Sequence, residues 1–235
     1  MSIFKAYDIR GKYPAEINEG LVQKISKAFC EFLKPKTIVI GMDMRLSSES
    51  LQNEIINSVT NQGIKVISIG LVSTPMFYFG VNHFNADAGI MITASHNPKE
   101  YNGLKLVEKE ARPINYDNGI SQIEKMINNS FINSKIKGEI IEKNILNEYL
   151  QYLKKFKTNL KKLKIVIDYG NGMNSVPTKK LLQSLNLEVI NLYDNLDGSF
   201  PNHEANPLKE ENTRFLQKKV LEEKADLRVA FDGDG

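Results

Sequence analysis

The chain has 235 residues, of which 41% are hydrophobic and 25% are charged, a composition typical of a folded protein with one or two domains. Its formal net charge of +3 is too small and too dispersed to favour a nucleic acid or a membrane surface as a partner. A single cysteine excludes an internal disulfide, and no apolar run approaches the ~18 residues of a membrane span, so we expect a reducing, cytoplasmic location.

The first half of the chain alternates strand and helix patterns. Asn18 is predicted to cap a helix over 19–33, with Ile17 and Val22 packing across the cap, and Cys30 is expected to be a buried small hydrophobe within it. The alternation predicts a mainly parallel sheet covered by helices. The predicted strands are 3–7, 37–41, 65–69, 88–92 and 103–107, and the further helices run from Ser47 or Ser48 to Gly63, after Thr74, and over 120–127.

A second α/β unit is predicted after residues 136–143, which show no strong period and carry mixed charge. We place the domain boundary there, with domains over 1–140 and 141–235. The predicted elements are a helix from Asn144, strands over 163–168, 187–192 and 227–231, and helices after Gly172 and over 207–224. The basic stretch 154–164 is predicted to be a solvated helix end. The similarity of 63–69 to 186–192 makes internal duplication a hypothesis.

The sequence Thr93-Ala-Ser-His-Asn-Pro98 directly follows a predicted buried strand. Ser95 is suited to carry a phosphoryl group there, because Lys99 and Lys105 offset part of the charge of the ester. The alternative is a turn serine that bonds to its own backbone. The closing proline predicts an extended loop. Ser95 and His96 then point to opposite sides, so we do not expect a serine–histidine dyad.

The sequence Asp232-Gly-Asp-Gly235 follows the last predicted strand. Carboxylates two residues apart can face one cation, since the glycines permit the backbone angles. Ligands that are all oxygen favour Mg²⁺. The alternative is a glycine-rich turn. Because the chain stops at a strand end, where α/β proteins build their sites, we expect it to be the N-terminal piece of a longer protein.

Two arginines also follow predicted strands, and each has two interpretations. Arg10 can donate a planar fork to a phosphate, or it can form a salt bridge with Asp8. Arg45 lies either at the edge of the site or in a structural pair with Asp43. The loop over 201–207, with a proline at each end, is predicted to be a rigid connector.

Taken together, five motifs resemble the α-D-phosphohexomutase superfamily, and most of all its bacterial phosphomannomutase/phosphoglucomutase group. They occur in the family's order and are Tyr7-Asp-Ile-Arg-Gly11, Thr93-Ala-Ser-His-Asn-Pro98, Tyr101-Asn-Gly-Leu-Lys105, Phe200-Pro-Asn-His203 and Asp232-Gly-Asp-Gly235. The resemblance implies an α/β fold of two consecutive domains with mixed, mainly parallel sheets. They are the first two of four domains: 1–140 with the phosphoserine loop, and 141–235 truncated within the metal-binding loop.

The resemblance also implies an isomerase that moves phosphate between C1 and C6 of mannose or glucose. It passes through a phosphoserine enzyme and a hexose 1,6-bisphosphate. By itself, the 235-residue chain is expected to be a poor or inactive catalyst. The implied catalytic residues are Ser95, Lys105, Arg10 and His96, the implied phosphate-binding residues are Tyr7, Arg10 and Lys105, and the implied Mg²⁺ ligands are Ser95, Asp232 and Asp234.

Three alternatives stay open. Phosphoglucosamine mutase belongs to the same superfamily, although the Phe4–Tyr7 opening and the 101–105 motif favour the phosphomannomutase/phosphoglucomutase branch. A phosphotransferase resembling the haloacid dehalogenases would use Asp232 as nucleophile and Asp234 as acid/base, which leaves Ser95 without a task. A non-catalytic module would bind a sugar phosphate and transfer nothing.

Overall fold

Helices and strands alternate along the chain in the structure, a computed structural model that describes residues 2–156 and 162–235. The described residues form two compact units, of which the first comprises 2–94 and 100–144, and the second 95–99, 145–156 and 162–235. The helices are α1 Glu19–Leu33, α2 Ser48–Asn61, α3 Thr74–His83, α4 Ser121–Met126, α5 Leu146–Lys154, α6 Ser175–Leu182 and α7 Glu210–Glu223. The strands are β1 Ile9–Lys12, β2 Thr37–Met42, β3 Lys65–Leu71, β4 Ala88–Ile92, β5 Tyr101–Glu108, β6 Arg112–Pro113, β7 Ile140–Glu142, β8 Leu163–Asp168, β9 Leu187–Leu192 and β10 Leu227–Ala230.

Helix α1 begins and ends where the sequence predicts, and its cap is confirmed. The Asn18 side chain accepts a hydrogen bond from the Leu21 amide at 3.0 Å, which satisfies one of the amides left open at the helix start. Val22, Ile25 and Phe29 recur at helical spacing and are buried in the core of the first unit. Cys30 is buried beside them, as predicted, and burial raises the pKa of its thiol to about 12.

The first unit contains a mixed sheet that, in the described residues, has seven strands in the order β1-β5-β4-β2-β3-β7, with β6 paired to β5. Strand β2 pairs in parallel with both β3 and β4, whereas β5 runs antiparallel to β4 and β1. The predicted helix over 120–127 is α4, preceded by a π-helical turn over Tyr116–Ile120. The carboxyl ends of β2, β3 and β4 therefore share one edge of the sheet, from which the segment after Ile92 leaves.

Two predictions for the first unit are corrected. The strand predicted over residues 3–7 is wrong, because Phe4 makes only an isolated bridge to Ile9, whereas β1 pairs along its length with β5. The stretch 136–143 contains β7, which pairs in parallel with β3. Three residues are too few to show a period, so the sequence pattern missed this strand.

The second unit contains a parallel sheet of three strands in the order β10-β8-β9, as far as the described residues extend. Ile165, Ile167 and Tyr169 form its core. This strand order repeats β4-β2-β3 of the first unit, and this repeat supports the duplication hypothesis. Lys157 and Lys161 of the predicted basic helix end lie outside the described residues. No helix within 2–156 or 162–235 is long and apolar enough to cross a membrane.

We expect Gly103→Ala to destabilise the first unit, because a Cβ on this residue of β5 would overlap the Ile9 carbonyl oxygen and lie 2.9 Å from that of Thr93. Backbone atoms cannot move aside as side chains do, so the free energy of unfolding should fall by about 1–3 kcal/mol. Gly20→Ala is the matched control, since Gly20 is an exposed residue of α1 and alanine should stabilise the helix by about 0.5–1 kcal/mol. Urea denaturation measures both, and a Gly103→Ala chain as stable as the wild type would contradict this packing.

Candidate active site

Ser95 lies in a tight turn that follows β4, and its side chain contacts the loop after β10. Its Oγ donates a hydrogen bond to Asp232 Oδ2 at 2.6 Å, within the second unit. Ser95 is 7% exposed, and its φ of +53° lies in the left-handed region, which is uncommon for a residue other than glycine. Such a conformation persists only where the surroundings over-determine it. The Asp232 contact is one of those determinants.

The predicted extended loop is wrong, because the left-handed Ser95 starts a turn. His96 therefore does not point away from its neighbour, and its Nδ1 lies 3.5 Å from Ser95 Oγ. That distance is much longer than the contact with Asp232, so the carboxylate and not the imidazole is the strong acceptor for the serine proton. The expectation that Ser95 and His96 form no dyad agrees with these two distances, although its geometric reason was wrong.

Asp232 and Asp234 lie in one loop, and the Asp234 carboxylate affects the pKa of Asp232. Burial and the neighbouring Asp234 carboxylate raise the pKa of Asp232, while the Ser95 hydroxyl and the Gly235 amide oppose this rise. Asp234 is only 4% exposed. The backbone of this loop also lies close to that of Ser95, because a Cβ on Gly233 would lie 2.6 Å from the Ser95 carbonyl oxygen. Two neighbouring carboxylates that repel each other, one of them buried, favour a bound cation.

The donor set of this loop fits a hard divalent cation. It comprises the Ser95 hydroxyl and the carboxylates of Asp232 and Asp234, all of them oxygen donors. Within the described residues, no three side chains of the types His, Cys, Asp and Glu are grouped closely enough to hold a metal by themselves. Mg²⁺ suits such a site, since it commonly binds one or two carboxylates and completes its shell with waters and phosphate oxygens.

The turn after β8 packs against the backbone of the acidic loop that contains Asp232 and Asp234. A Cβ on Gly172 would lie 2.9 Å from the carbonyl oxygens of both Asp232 and Gly233, so only glycine allows this close approach. The Met173 amide donates to the Gly233 carbonyl at 3.0 Å. The turn over residues 170–172 is thus a backbone support for the acidic loop, a role that the sequence pattern did not indicate.

His203 is fixed on Asp168, the buried last residue of β8. His203 Nε2 lies 3.0 Å from Asp168 Oδ2, and Nδ1 lies 2.8 Å from the Glu204 carbonyl oxygen. Both partner atoms are acceptor oxygens, so this arrangement suits the imidazolium form of His203, in which both ring nitrogens donate. The hydrogen bond to Asp168 raises the pKa of His203 above its ordinary value of 6.5. The sequence predicted only a rigid connector over 201–207 and missed this ion pair.

The predicted phosphate-binding cations Arg10 and Lys105 lie around one carboxylate in the first unit. Arg10 donates through Nε to Asp8 Oδ2 at 2.8 Å and through Nη1 to the Ala94 carbonyl at 3.3 Å. Lys105 Nζ lies 3.8 Å from the same Asp8 oxygen. Tyr7, in contrast, is 79% exposed. The salt bridge between Arg10 and Asp8, one of the two predicted interpretations, is therefore present.

The structure thus brings the predicted site residues together in two groups. Ser95, His96, Asp232 and Asp234 form one group in the second unit, whereas Arg10 and Lys105 meet at Asp8 in the first. Arg45, the other predicted arginine, is 2% exposed and forms the structural pair with Asp43, its Nε lying 3.2 Å from Asp43 Oδ2. The sequence had left that alternative open.

Two family models match the chain almost end to end. The model described as phosphoglucomutase/phosphomannomutase, alpha/beta/alpha domain I matches residues 1–133, and the model for alpha/beta/alpha domain II matches residues 147–235. The chain therefore belongs to the phosphoglucomutase/phosphomannomutase family.

Curated relatives and solved structures agree with this assignment. The chain is 38% identical to a phosphomannomutase of Escherichia coli strain K12 and 37% identical to one of Vibrio cholerae, each match covering 100% of the chain and 54% and 53% of the relative. A crystal structure of a phosphoglucomutase/phosphomannomutase family protein from Burkholderia thailandensis matches with a TM-score of 0.91 and 30% identity, over 99% of this chain and 53% of that one. The chain spans about half the length of the curated relatives it matches.

We expect the Asp168–His203 pair to stabilise the second unit most at low pH. A pKa of His203 raised above 6.5 means that the stabilisation is fully present below about pH 6.5 and is lost as the pH rises through the raised value. The loss of unfolding free energy caused by His203→Gln should therefore shrink between about pH 6 and about pH 9.

Urea denaturation across this pH range measures the effect, with Asp168→Asn as the matched background. In that background the acceptor carboxylate is gone, so His203→Gln should cost the same at every pH. A cost of His203→Gln in the wild-type background that is constant or grows with pH would contradict the imidazolium assignment.

Proposed function

We propose that this chain takes part in phosphohexomutase catalysis, the interconversion of the 1-phosphate and the 6-phosphate of mannose or glucose. In this proposal, Ser95 is the residue that carries the phosphoryl group. The observation that carries the proposal is the hydrogen bond that Ser95, in a left-handed turn, donates through Oγ to Asp232, beside the buried carboxylate of Asp234. The identity of 37–38% to proteins named phosphomannomutase supports the choice of reaction. Because those relatives are about twice as long, the proposal concerns an enzyme that includes this chain.

The proposed chemical step transfers one phosphoryl group from Ser95 to a hydroxyl group of the sugar. The bond between Ser95 Oγ and phosphorus breaks, and a bond between phosphorus and a hydroxyl oxygen of the hexose phosphate forms. The proton of that hydroxyl ends on the released Ser95 oxygen, with Lys105 as the proposed acid/base that relays it, and the product is a hexose 1,6-bisphosphate. Reversal of the step with the other phosphate of the bisphosphate restores phosphoserine, so the net result moves phosphate between C1 and C6. Most of the acceleration in such transfers comes from positioning and electrostatic stabilisation.

The proposed cofactor is Mg²⁺, with Ser95, Asp232 and Asp234 as its ligands from this chain. When bound, the ion would neutralise charge on the transferring phosphoryl group. The protein itself orients these ligands. Asp232 orients the Ser95 oxygen, and the turn after β8 holds the acidic loop in place through the backbone contacts of Gly172 and Met173.

We assign the remaining predicted residues to substrate binding. Arg10 and Lys105 are cations that suit a phosphate dianion, and Asp8 orients both of them in the first unit. Tyr7 is exposed and is proposed to contact the substrate, and His96, beside Ser95, is proposed to line the site. The proposed domains remain 1–140 and 141–235.

We expect the chain treated with glucose 1,6-bisphosphate to gain the mass of one phosphoryl group on Ser95. In this reaction the bond between Ser95 Oγ and phosphorus forms, the bond to one sugar oxygen breaks, and the serine proton ends on the released oxygen. Ser95→Ala should gain nothing, whereas Ser184→Ala, which changes an exposed serine outside the site, should behave as the wild type.

Intact mass and fragmentation mass spectrometry check this prediction. A serine ester is durable at alkaline pH, whereas an acyl phosphate on an aspartate is labile. An alkali-labile phosphate on Asp232 would overturn the proposal in favour of a phosphotransferase that resembles the haloacid dehalogenases. No label at all, with tight binding of the bisphosphate, would favour a sugar-phosphate-binding module.

We expect Asp232→Asn and Asp234→Asn each to weaken Mg²⁺ binding by about a hundredfold or more, since each removes a charged ligand, whereas loss of an outer-shell partner alone costs 10–100-fold. Calorimetric titration of the chain with MgCl₂ measures the affinity. Glu211→Gln, an exposed carboxylate at the start of α7, is the control and should bind Mg²⁺ as the wild type does. Equal affinity in all four chains would contradict the assigned ligands.

A further inference from the structure

A buried ion pair follows β2 in the first unit. The side chains of Asp43 and Arg45 are both fully buried, and Arg45 Nε donates to Asp43 Oδ2 at 3.2 Å. The Asp43 oxygen Oδ1 accepts from the Arg45 amide at 3.0 Å and from the Ser48 hydroxyl at 2.8 Å. A charged pair removed from water in this way is seldom a gain in stability over an apolar pair of the same shape, so stability alone does not explain it.

The network around this pair extends to the chain on both sides of residues 94–100, here called the Ser95 segment. Before the segment, the Thr93 hydroxyl donates to the Asp43 carboxylate, and the Asp43 amide donates to the Ile92 carbonyl at 2.9 Å. After the segment, Arg45 Nη1 donates to the Tyr101 carbonyl at 2.9 Å. One buried pair is therefore bonded to the chain just before and just after the segment that contains Ser95.

A second set of contacts fixes the chain after the Ser95 segment, at Asn102. Asn102, which is fully buried, donates through Nδ2 to the hydroxyls of Ser47 and Ser48 at 2.8 and 3.1 Å. The Asn102 Oδ1 atom accepts from the Gly103 amide at 2.8 Å. Ser48 is itself a donor to Asp43, so these contacts and the ion pair form one continuous network.

We propose that the Asp43–Arg45 pair positions the Ser95 segment by fixing both of its ends, and so sets the backbone conformation from which Ser95 receives and gives its phosphoryl group. The inference rests on the proposed function. A short segment held at Thr93 and Tyr101 has few conformations, and the left-handed Ser95 is the one observed. The planar guanidinium suits this role because its Nε and Nη1 atoms donate from fixed positions to the Asp43 carboxylate and to the Tyr101 carbonyl.

The second unit carries an equivalent pair, which argues that the arrangement is not accidental. Asp168 ends β8, the strand that corresponds to β2, and pairs with His203. Its Oδ1 accepts from the amide two residues further on, that of Gly170 at 2.8 Å, as Asp43 accepts from Arg45. In both units the buried carboxylate thus lies at the end of the central parallel strand.

The test separates positioning from stability. The double variant Asp43→Asn with Arg45→Met removes both charges and keeps the volume, so no unpaired charge is left in the core. The control is Val59→Ala, a cavity in α2 away from the network, and its loss of stability serves as the comparison. Each chain is treated with glucose 1,6-bisphosphate, the rate of Ser95 phosphorylation is measured by intact mass, and amide hydrogen exchange is followed in peptides covering 93–102 at a temperature where all chains are folded.

The proposal expects the double variant to be phosphorylated about 10- to 100-fold more slowly than the wild type, because small displacements of a reacting group cost that much. It also expects faster exchange over 93–102 in the double variant alone, whatever its melting temperature, and wild-type behaviour in Val59→Ala. Wild-type exchange in the double variant overturns the proposal, as does phosphorylation at the wild-type rate. A wild-type chain that accepts no phosphate contradicts the proposed function instead, and the exchange measurement then decides the positioning role alone.

Discussion

The hydrogen bond from Ser95 Oγ to Asp232 Oδ2 is the interaction on which the rest of the site depends. It joins two loops that are 137 residues apart in the chain, and it brings the Ser95 hydroxyl to a pair of carboxylates, of which Asp234 is buried. Without it, Ser95 is a turn serine and the acidic loop is a glycine-rich strand end. With it, a hydroxyl and a carboxylate pair lie together, the combination that the proposed phosphoryl transfer uses.

The fold produces this combination by using one arrangement twice. In each unit a buried carboxylate, Asp43 just after β2 or Asp168 at the end of β8, marks the end of the central parallel strand, and a loop with proposed site residues follows the neighbouring strand, β4 or β10. Loops at the carboxyl ends of neighbouring parallel strands share one edge of a sheet, so their backbones support one another. The close approach of Gly172 to the carbonyls of Asp232 and Gly233 is one consequence. The sheets supply rigidity, and the loops supply the reacting groups.

The sequence predicts those features that local patterns determine. Helix α1 follows from its apolar period and from Asn18, and the α/β order follows from apolar runs of strand length. The false strand over 3–7 and the missed β7 have the same cause, since pairing partners decide which short apolar segment enters a sheet. Within the site, the motifs located Ser95 and the acidic loop. The turn at Ser95 was missed because its conformation depends on distant contacts, whereas Pro98 restricts only Asn97. The Asp168–His203 pair, 35 residues apart, left no local signal.

The most direct measurement of the central claim is the phosphorus-31 NMR spectrum of the chain after treatment with a hexose 1,6-bisphosphate, recorded with and without Mn²⁺ as a paramagnetic substitute for Mg²⁺. The account predicts a phosphoserine resonance that stoichiometric Mn²⁺ broadens severely in the wild-type chain. In a chain that carries both Asp232→Asn and Asp234→Asn, any such resonance should stay sharp. A wild-type phosphoserine signal that Mn²⁺ leaves unchanged would contradict the account, because Ser95 and the two carboxylates would then not share a cation.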